Sequence, residues 1–72
     1  MGPFETVEDA VRAVREYQGR PEDFELAIAD SMNDAVGINM AIVGDAILKR
    51  GWWPDGFVQK DGYRIYRYKA AK

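Results

Sequence analysis

The dipeptide Asp61-Gly62 lies between two runs of strand-forming residues, and it constrains the fold of this chain more than any other feature. Residues 57–60 precede it and residues 63–68 follow it, and both runs are rich in aromatic and β-branched side chains. An Asp-Gly pair in this setting is the strongest short-range signal for a β-hairpin with a two-residue turn. We therefore predict a hairpin over about residues 57–68. Such a turn fixes the cross-strand pairs as Lys60 with Tyr63, Val58 with Ile65, and Phe57 with Tyr66.

Apolar residues at helical spacing predict two helices in the first half of the chain. The first spans about residues 7–18, with Thr6 as N-cap and Gly19 in the left-handed position at its end. The second spans about residues 21–33 and begins at Pro21. Its predicted buried face consists of Phe24, Ala27, Ile28 and Met32. Two acidic groups suit the positive ends of these helix dipoles: Glu5, Glu8 and Asp9, and then Glu22, Asp23 and Glu25.

A third helix is predicted over about residues 40–50, with Asn39 as its N-cap and Gly51 at its end. Met40, Val43 and Ile47 share its buried face, with Ala46 at the edge. Ala41, Ile42, Asp45, Leu48 and Lys49 are left exposed. The adjacent Trp52 and Trp53 cannot both point inward, because consecutive side chains diverge in helices and in strands. We expect one to belong to the core, and we take Trp53 as the exposed one.

Length and composition limit the class of protein. A chain of 72 residues forms one small domain, here residues 1–72, with a compact core. The absence of cysteine excludes a disulfide scaffold and favours a reducing, cytoplasmic location. No apolar run approaches the ~20 residues needed to cross a bilayer, so we expect no membrane contact. Without histidine, cysteine or a glycine-rich phosphate loop, the sequence predicts no enzyme, no metal site and no cofactor.

The predicted order of three helices followed by a C-terminal hairpin resembles a winged helix-turn-helix domain. Met32 and Val36 fill apolar positions of that motif, Gly37 takes the turn glycine, and Ile38 follows it. Asn39 takes the capping place and Val43 the buried place of the third helix, whereas Asn33 and Ala46 depart from the pattern. The resemblance implies an α+β fold of winged-helix type in which the hairpin is the wing. In such domains the exposed face of the third helix reads DNA, which requires arginine, lysine, asparagine or glutamine.

Charge is divided unevenly along the chain. Residues 1–48 hold ten acidic and three basic side chains, whereas residues 49–72 hold seven basic and two acidic ones. Basic and aromatic residues alternate in the hairpin, a composition suited to an acidic partner. The predicted partner-binding residues are Trp53, Lys60, Arg64, Tyr66, Arg67 and Lys69. By strand alternation Arg64 and Tyr66 lie on one face of the hairpin, and Lys60 and Arg67 lie on the other.

Three functions follow from this pattern. The preferred one is a non-enzymatic interaction module, a small regulatory or accessory protein that binds an acidic protein surface through its hairpin. The first alternative is DNA binding as a winged-helix regulator, although the predicted exposed face of the third helix offers few base-reading side chains. The second alternative is a homo-oligomeric structural subunit, in which the basic hairpin of one copy meets the acidic helices of another.

Overall fold

The protein combines helices with a three-stranded antiparallel sheet, in a computed structural model that describes residues 3–34 and 38–71. The predicted α+β class is therefore confirmed. In chain order the elements are α1 (Val7–Glu16), a 3-10 helix (Pro21–Asp23), β1 (Glu25–Ala29), α2 (Asp30–Asp34), α3 (Ile38–Lys49), β2 (Trp52–Lys60) and β3 (Tyr63–Ala70). No helix within these described ranges is long and apolar enough to span a membrane.

The sheet has the strand order β1-β3-β2, so the hairpin contributes the central strand and one edge. The predicted pairs of Lys60 with Tyr63, Val58 with Ile65, and Phe57 with Tyr66 are all confirmed. Gly62 has φ +90° in the turn, a conformation that favours glycine. The strands extend beyond the predicted limits, since β2 begins at Trp52 and β3 ends at Ala70. Their register shifts between Pro54 and Phe57, with Gly56 at φ +85°, so this segment is an irregularity of an edge strand.

The predicted helix over residues 21–33 is wrong. Only Pro21–Asp23 and Asp30–Asp34 are helical, and the residues between them contain strand β1. β1 pairs along its length with β3, and Phe4 bonds to its other edge through Ala27 and Ala29. The acidic residues Glu22, Asp23 and Glu25 therefore do not begin a long helix, and Glu25 is a strand residue.

Helix α1 begins as predicted, since the Thr6 hydroxyl accepts a hydrogen bond from the Asp9 amide at 3.3 Å. Its predicted end is wrong. The helix stops at Glu16, and Tyr17 leaves it in an extended conformation. Gly19 does not adopt positive φ, so no left-handed glycine closes α1.

Helix α3 buries Val43, Ala46 and Ile47 and leaves Met40 partly buried, as predicted. It begins at Ile38, so Asn39 is a helical residue and its prediction as N-cap is wrong. Gly51 ends the segment with φ +76°. The turn predicted at Gly37 and the apolar position predicted at Val36 lie outside the described residues.

The core forms where α1, α3 and the sheet meet. Its fully buried members include Ala10, Val14, Leu26, Ile28, Val43 and Ile47. An aromatic cluster of Tyr17, Phe24, Trp52 and Tyr68 packs beside them. Arg50 connects the end of α1 to Trp52 at the start of β2. Its Nη1 donates hydrogen bonds to the carbonyl oxygens of Val14 at 2.7 Å and Tyr17 at 2.8 Å, and its guanidinium lies 4.4 Å from the Trp52 ring centre.

Candidate functional site

The two faces of the sheet have different environments. Side chains alternate between faces along each strand, and the helices cover the face that carries Leu26, Ile28 and Tyr68. The opposite face, here called the outer sheet face, remains accessible to solvent. Its hairpin residues are Trp53, Val58, Lys60, Tyr63, Ile65, Arg67 and Lys69, and β1 adds Glu25 and Ala27.

Trp53 lies on this outer face with half of its surface exposed (51%), whereas Trp52 is buried and only 5% of its surface is exposed. The expectation that the two tryptophans would separate is confirmed. Trp53 is directly opposite Lys69 in the β2–β3 register, so a large aromatic surface and an ammonium group are neighbours. Tryptophan is enriched among the residues that dominate binding energy at protein interfaces.

Three cations share the outer sheet face. The Arg67 Nη2 atom lies 2.8 Å from Glu25 Oε2 across the β1–β3 pair, and both side chains are about half exposed. An exposed pair of this kind contributes only ~0–1 kcal/mol, so Glu25 orients the guanidinium without sequestering it. Lys60 and Lys69 form no ion pair with any other described residue. The outer face therefore carries a net positive charge.

Arg64 and Tyr66, the other two predicted binding residues, lie on the opposite, inner face. The Arg64 guanidinium lies 4.8 Å from the Phe57 ring centre, and its Nε donates a 2.8 Å hydrogen bond to Gln59 Oε1. The Phe57 and Tyr66 rings are 5.4 Å apart. Gln59 donates in turn to the Asp30 carboxylate at 3.2 Å, which links the hairpin to α2. Arg64 thus contributes to the internal structure of the hairpin, and the six predicted residues form two groups on two faces.

Sequence reasoning missed the contribution of β1 to this surface, because residues 25–29 were assigned to a helix. A signal was present, since Phe24, Leu26 and Ile28 alternate with Glu25 and Ala27 at strand spacing. Val58, Tyr63 and Ile65 could also be placed on the outer face from alternation. They add apolar surface between the cations.

Tyr68 and Glu22 have shifted pKa values, and both lie away from the outer sheet face. Burial raises the pKa of Tyr68 above its ordinary value, and Tyr66 adds to the shift. The pKa of Glu22 is lowered by a hydrogen bond from its own backbone amide and by another from the Ala70 amide. Glu22 also lies 3.6 Å from Arg20 Nε, and it connects the 3-10 helix to the end of β3.

Surface grooves flank helix α3 on both sides. One, between α1 and α3, has a volume of about 500 Å³ and is lined by Val7, Val11 and Ile42 together with charged residues of α1. The other, about 150 Å³, lies between α3 and the sheet and is lined by apolar residues that include Met40, Pro54 and Tyr66. Across residues 3–34 and 38–71, no group of three or more acidic side chains is arranged to hold a metal ion.

Comparison with known proteins found no matching protein family, no matching curated protein and no matching solved structure.

Proposed function

We propose that this protein is a non-enzymatic interaction module that binds an acidic protein surface through the outer sheet face. The observation that carries the proposal is the coincidence of exposed Trp53 with Lys60, Arg67 and Lys69 on one surface. Tryptophan and arginine are enriched among residues that dominate binding energy, and the cations provide electrostatic complementarity to an acidic partner. The cysteine-free composition supports placing this contact in the cytoplasm.

A fold of winged-helix type is part of the proposal. It is supported by the order of the elements, since α2 and α3 are consecutive and the β2–β3 hairpin follows directly. Fold alone does not assign function, and the exposed face of α3 favours a protein partner over DNA. That face presents Ala41, Ile42 and Leu48, and its Lys49 Nζ is paired at 3.0 Å with Asp45. Aliphatic side chains and a single lysine beside an aspartate provide few contacts to base edges or phosphates.

The test compares two double variants with matched chemistry. Trp53→Ala with Lys69→Ala removes a large apolar residue and a lysine from the outer face. Leu48→Ala with Lys49→Ala removes the same kinds of group from the exposed face of α3. Binding is measured by fluorescence anisotropy against labelled acidic peptides, each with one aromatic or aliphatic residue, and against duplex DNA.

We expect the outer-face variant to weaken peptide binding by tenfold or more, roughly the effect of losing one interface anchor, and the α3 variant to bind like the parent. Peptide binding that survives the outer-face substitutions would contradict the proposal. Tight, sequence-selective DNA binding that is lost only in the α3 variant would favour the DNA-binding alternative. A steep loss of DNA affinity with salt in both variants would indicate phosphate attraction without base reading.

A further inference from the structure

The groove between α1 and α3 has an apolar floor and charged walls. Val7 and Val11 are partly buried in its floor, and Ile42 contributes an aliphatic side chain that is 48% exposed. The walls include Glu8 and Arg15. No residue of the outer sheet face lines the groove, so this surface is separate from the proposed binding site.

Four charged residues of α1 line the groove, namely Glu8, Arg12, Arg15 and Glu16, and the arrangement of two of them suggests their partner. Arg12 is paired with Asp9 at 3.5 Å within the helix. In contrast, Glu8 and Arg15 form no ion pair with any residue in the described parts of the chain. They are separated by seven residues, two helical turns, and therefore lie on the same side of α1 with Val11 between them.

We propose that the occupant of this groove is a second copy of the chain, with the two α1 helices antiparallel about a twofold axis near Val11. In that arrangement Glu8 of each copy lies opposite Arg15 of the other, because a twofold interface repeats every contact. Val11 and Ile42 of both copies are covered at the centre. A uniformly acidic partner would match Arg15 and repel Glu8, whereas a second copy complements both.

This contact differs from the self-association expected from the charge asymmetry, which placed the basic hairpin against acidic helices. It uses one helix pair and a few aliphatic side chains, so the interface belongs to the small, weak class. We expect a dissociation constant on the order of 100 µM. Sedimentation equilibrium and concentration-dependent NMR diffusion up to millimolar protein measure this range.

Charge exchange tests the geometry directly. Glu8→Arg alone and Arg15→Glu alone each place like charges opposite one another, so each variant is expected to be monomeric. An equimolar mixture of the two single variants restores both opposite-charge pairs and is expected to form a heterodimer. The double variant carrying both substitutions is also self-complementary and is expected to dimerise. Circular dichroism establishes that each variant is folded.

Two further variants test whether dimerisation uses the groove between α1 and α3 or the outer sheet face. Ile42→Ser is expected to abolish dimerisation, whereas Val58→Ser, a matched aliphatic position on the outer face, leaves it unchanged. A parent protein that is monomeric at millimolar concentration overturns the proposal. Dimerisation that ignores the charge substitutions, or that fails in Val58→Ser but persists in Ile42→Ser, also overturns it. The monomeric charge variants should still bind acidic peptides. Failure of the dimer proposal can therefore be distinguished from failure of the proposed function.

Discussion

Replacement of Arg50 tests whether the guanidinium that joins α1 to the core stabilises the fold. The carbonyl groups of Val14 and Tyr17 lie at the end of α1, where helical carbonyls lack partners within the helix. Arg50 supplies a charged donor to both and also covers one face of Trp52. Arg50→Ala removes all three interactions, whereas Arg50→Lys retains a cation but loses the planar donor fork.

The expected change in the free energy of unfolding follows from these contacts. Hydrogen bonds to a charged group contribute about 1.5–3 kcal/mol each, and partial exposure places these two at or below the lower end. The cation–π contact adds about 0.5–1 kcal/mol, and release of the ordered side chain returns up to ~2 kcal/mol of entropy. We expect Arg50→Ala to lower the free energy of unfolding by about 2 kcal/mol and Arg50→Lys by about 1 kcal/mol. For a domain of this size, 2 kcal/mol corresponds to a fall in Tm of roughly 8–16 °C.

Urea denaturation followed by far-UV circular dichroism and tryptophan fluorescence measures these changes. Lys49→Ala is the matched control, since it removes the adjacent cation, whose ion pair with Asp45 is largely exposed. That control should cost no more than about 0.5 kcal/mol. If Arg50→Ala destabilises the protein by no more than Lys49→Ala does, the contacts of Arg50 with α1 do not contribute to stability and the reasoning is refuted.

Three other predictions test separate parts of the structure. Because burial raises the pKa of Tyr68, its stabilising contribution is complete below about pH 10, the ordinary tyrosine pKa, and is lost as pH rises through the folded-state value. Tyr68→Phe should therefore shift alkaline unfolding to higher pH in a circular dichroism titration, and an unchanged midpoint would argue against this origin. Arg67→Ala should weaken acidic-peptide binding and change stability by less than about 1 kcal/mol, whereas Arg64→Ala should lower stability by about 1 kcal/mol and leave binding intact. Gly51→Ala should cost roughly 1 kcal/mol in urea denaturation because φ is +76°, whereas Gly44→Ala, in helix α3 with open space around it, should stabilise the fold by up to about 1 kcal/mol. Equal effects at the two glycines would contradict this account.

The hairpin could be predicted pair by pair because local chemistry decides its register. Asp61-Gly62 fixes the turn, and alternation then assigns each side chain to a face. The limits of the strands were harder to predict from the sequence, since proline and glycine, as at Pro54 and Gly56, are common in turns. Only their position on the edge of the sheet allows them to form a strand irregularity.

Strand β1 was missed for a different physical reason. Phe24, Ile28 and Met32 fit a helical stripe, yet Leu26 has no place in that stripe and is fully buried in the structure. The strand conformation buries Phe24, Leu26 and Ile28 together and pairs the backbone with β3. Such pairing depends on residues about 40 positions away along the chain, and local periodicity cannot anticipate it.

The uneven distribution of charge indicated the proposed binding surface only in part. Arg50 and Arg64 belong to the basic third of the chain, but both are engaged in internal contacts. The role of Arg50 depends on Val14, which is 36 residues away. Sequence alone therefore could not separate Arg50 from the cations of the proposed binding surface. The cations left on the outer face are Lys60, Arg67 and Lys69, fewer than the composition suggests.

The composition of the outer sheet face argues that it is more than a solvated surface. An antiparallel sheet with helices on one side usually presents polar residues on the other. Here the outward positions include Trp53, Val58 and Ile65, and the first two are about half exposed. The free edge of β2 is interrupted by Pro54 and its irregular register, which disfavours pairing with another strand. In the proposed interaction, association is directed to the face of the sheet, where Trp53 and the cations Lys60, Arg67 and Lys69 favour an acidic partner over an apolar one.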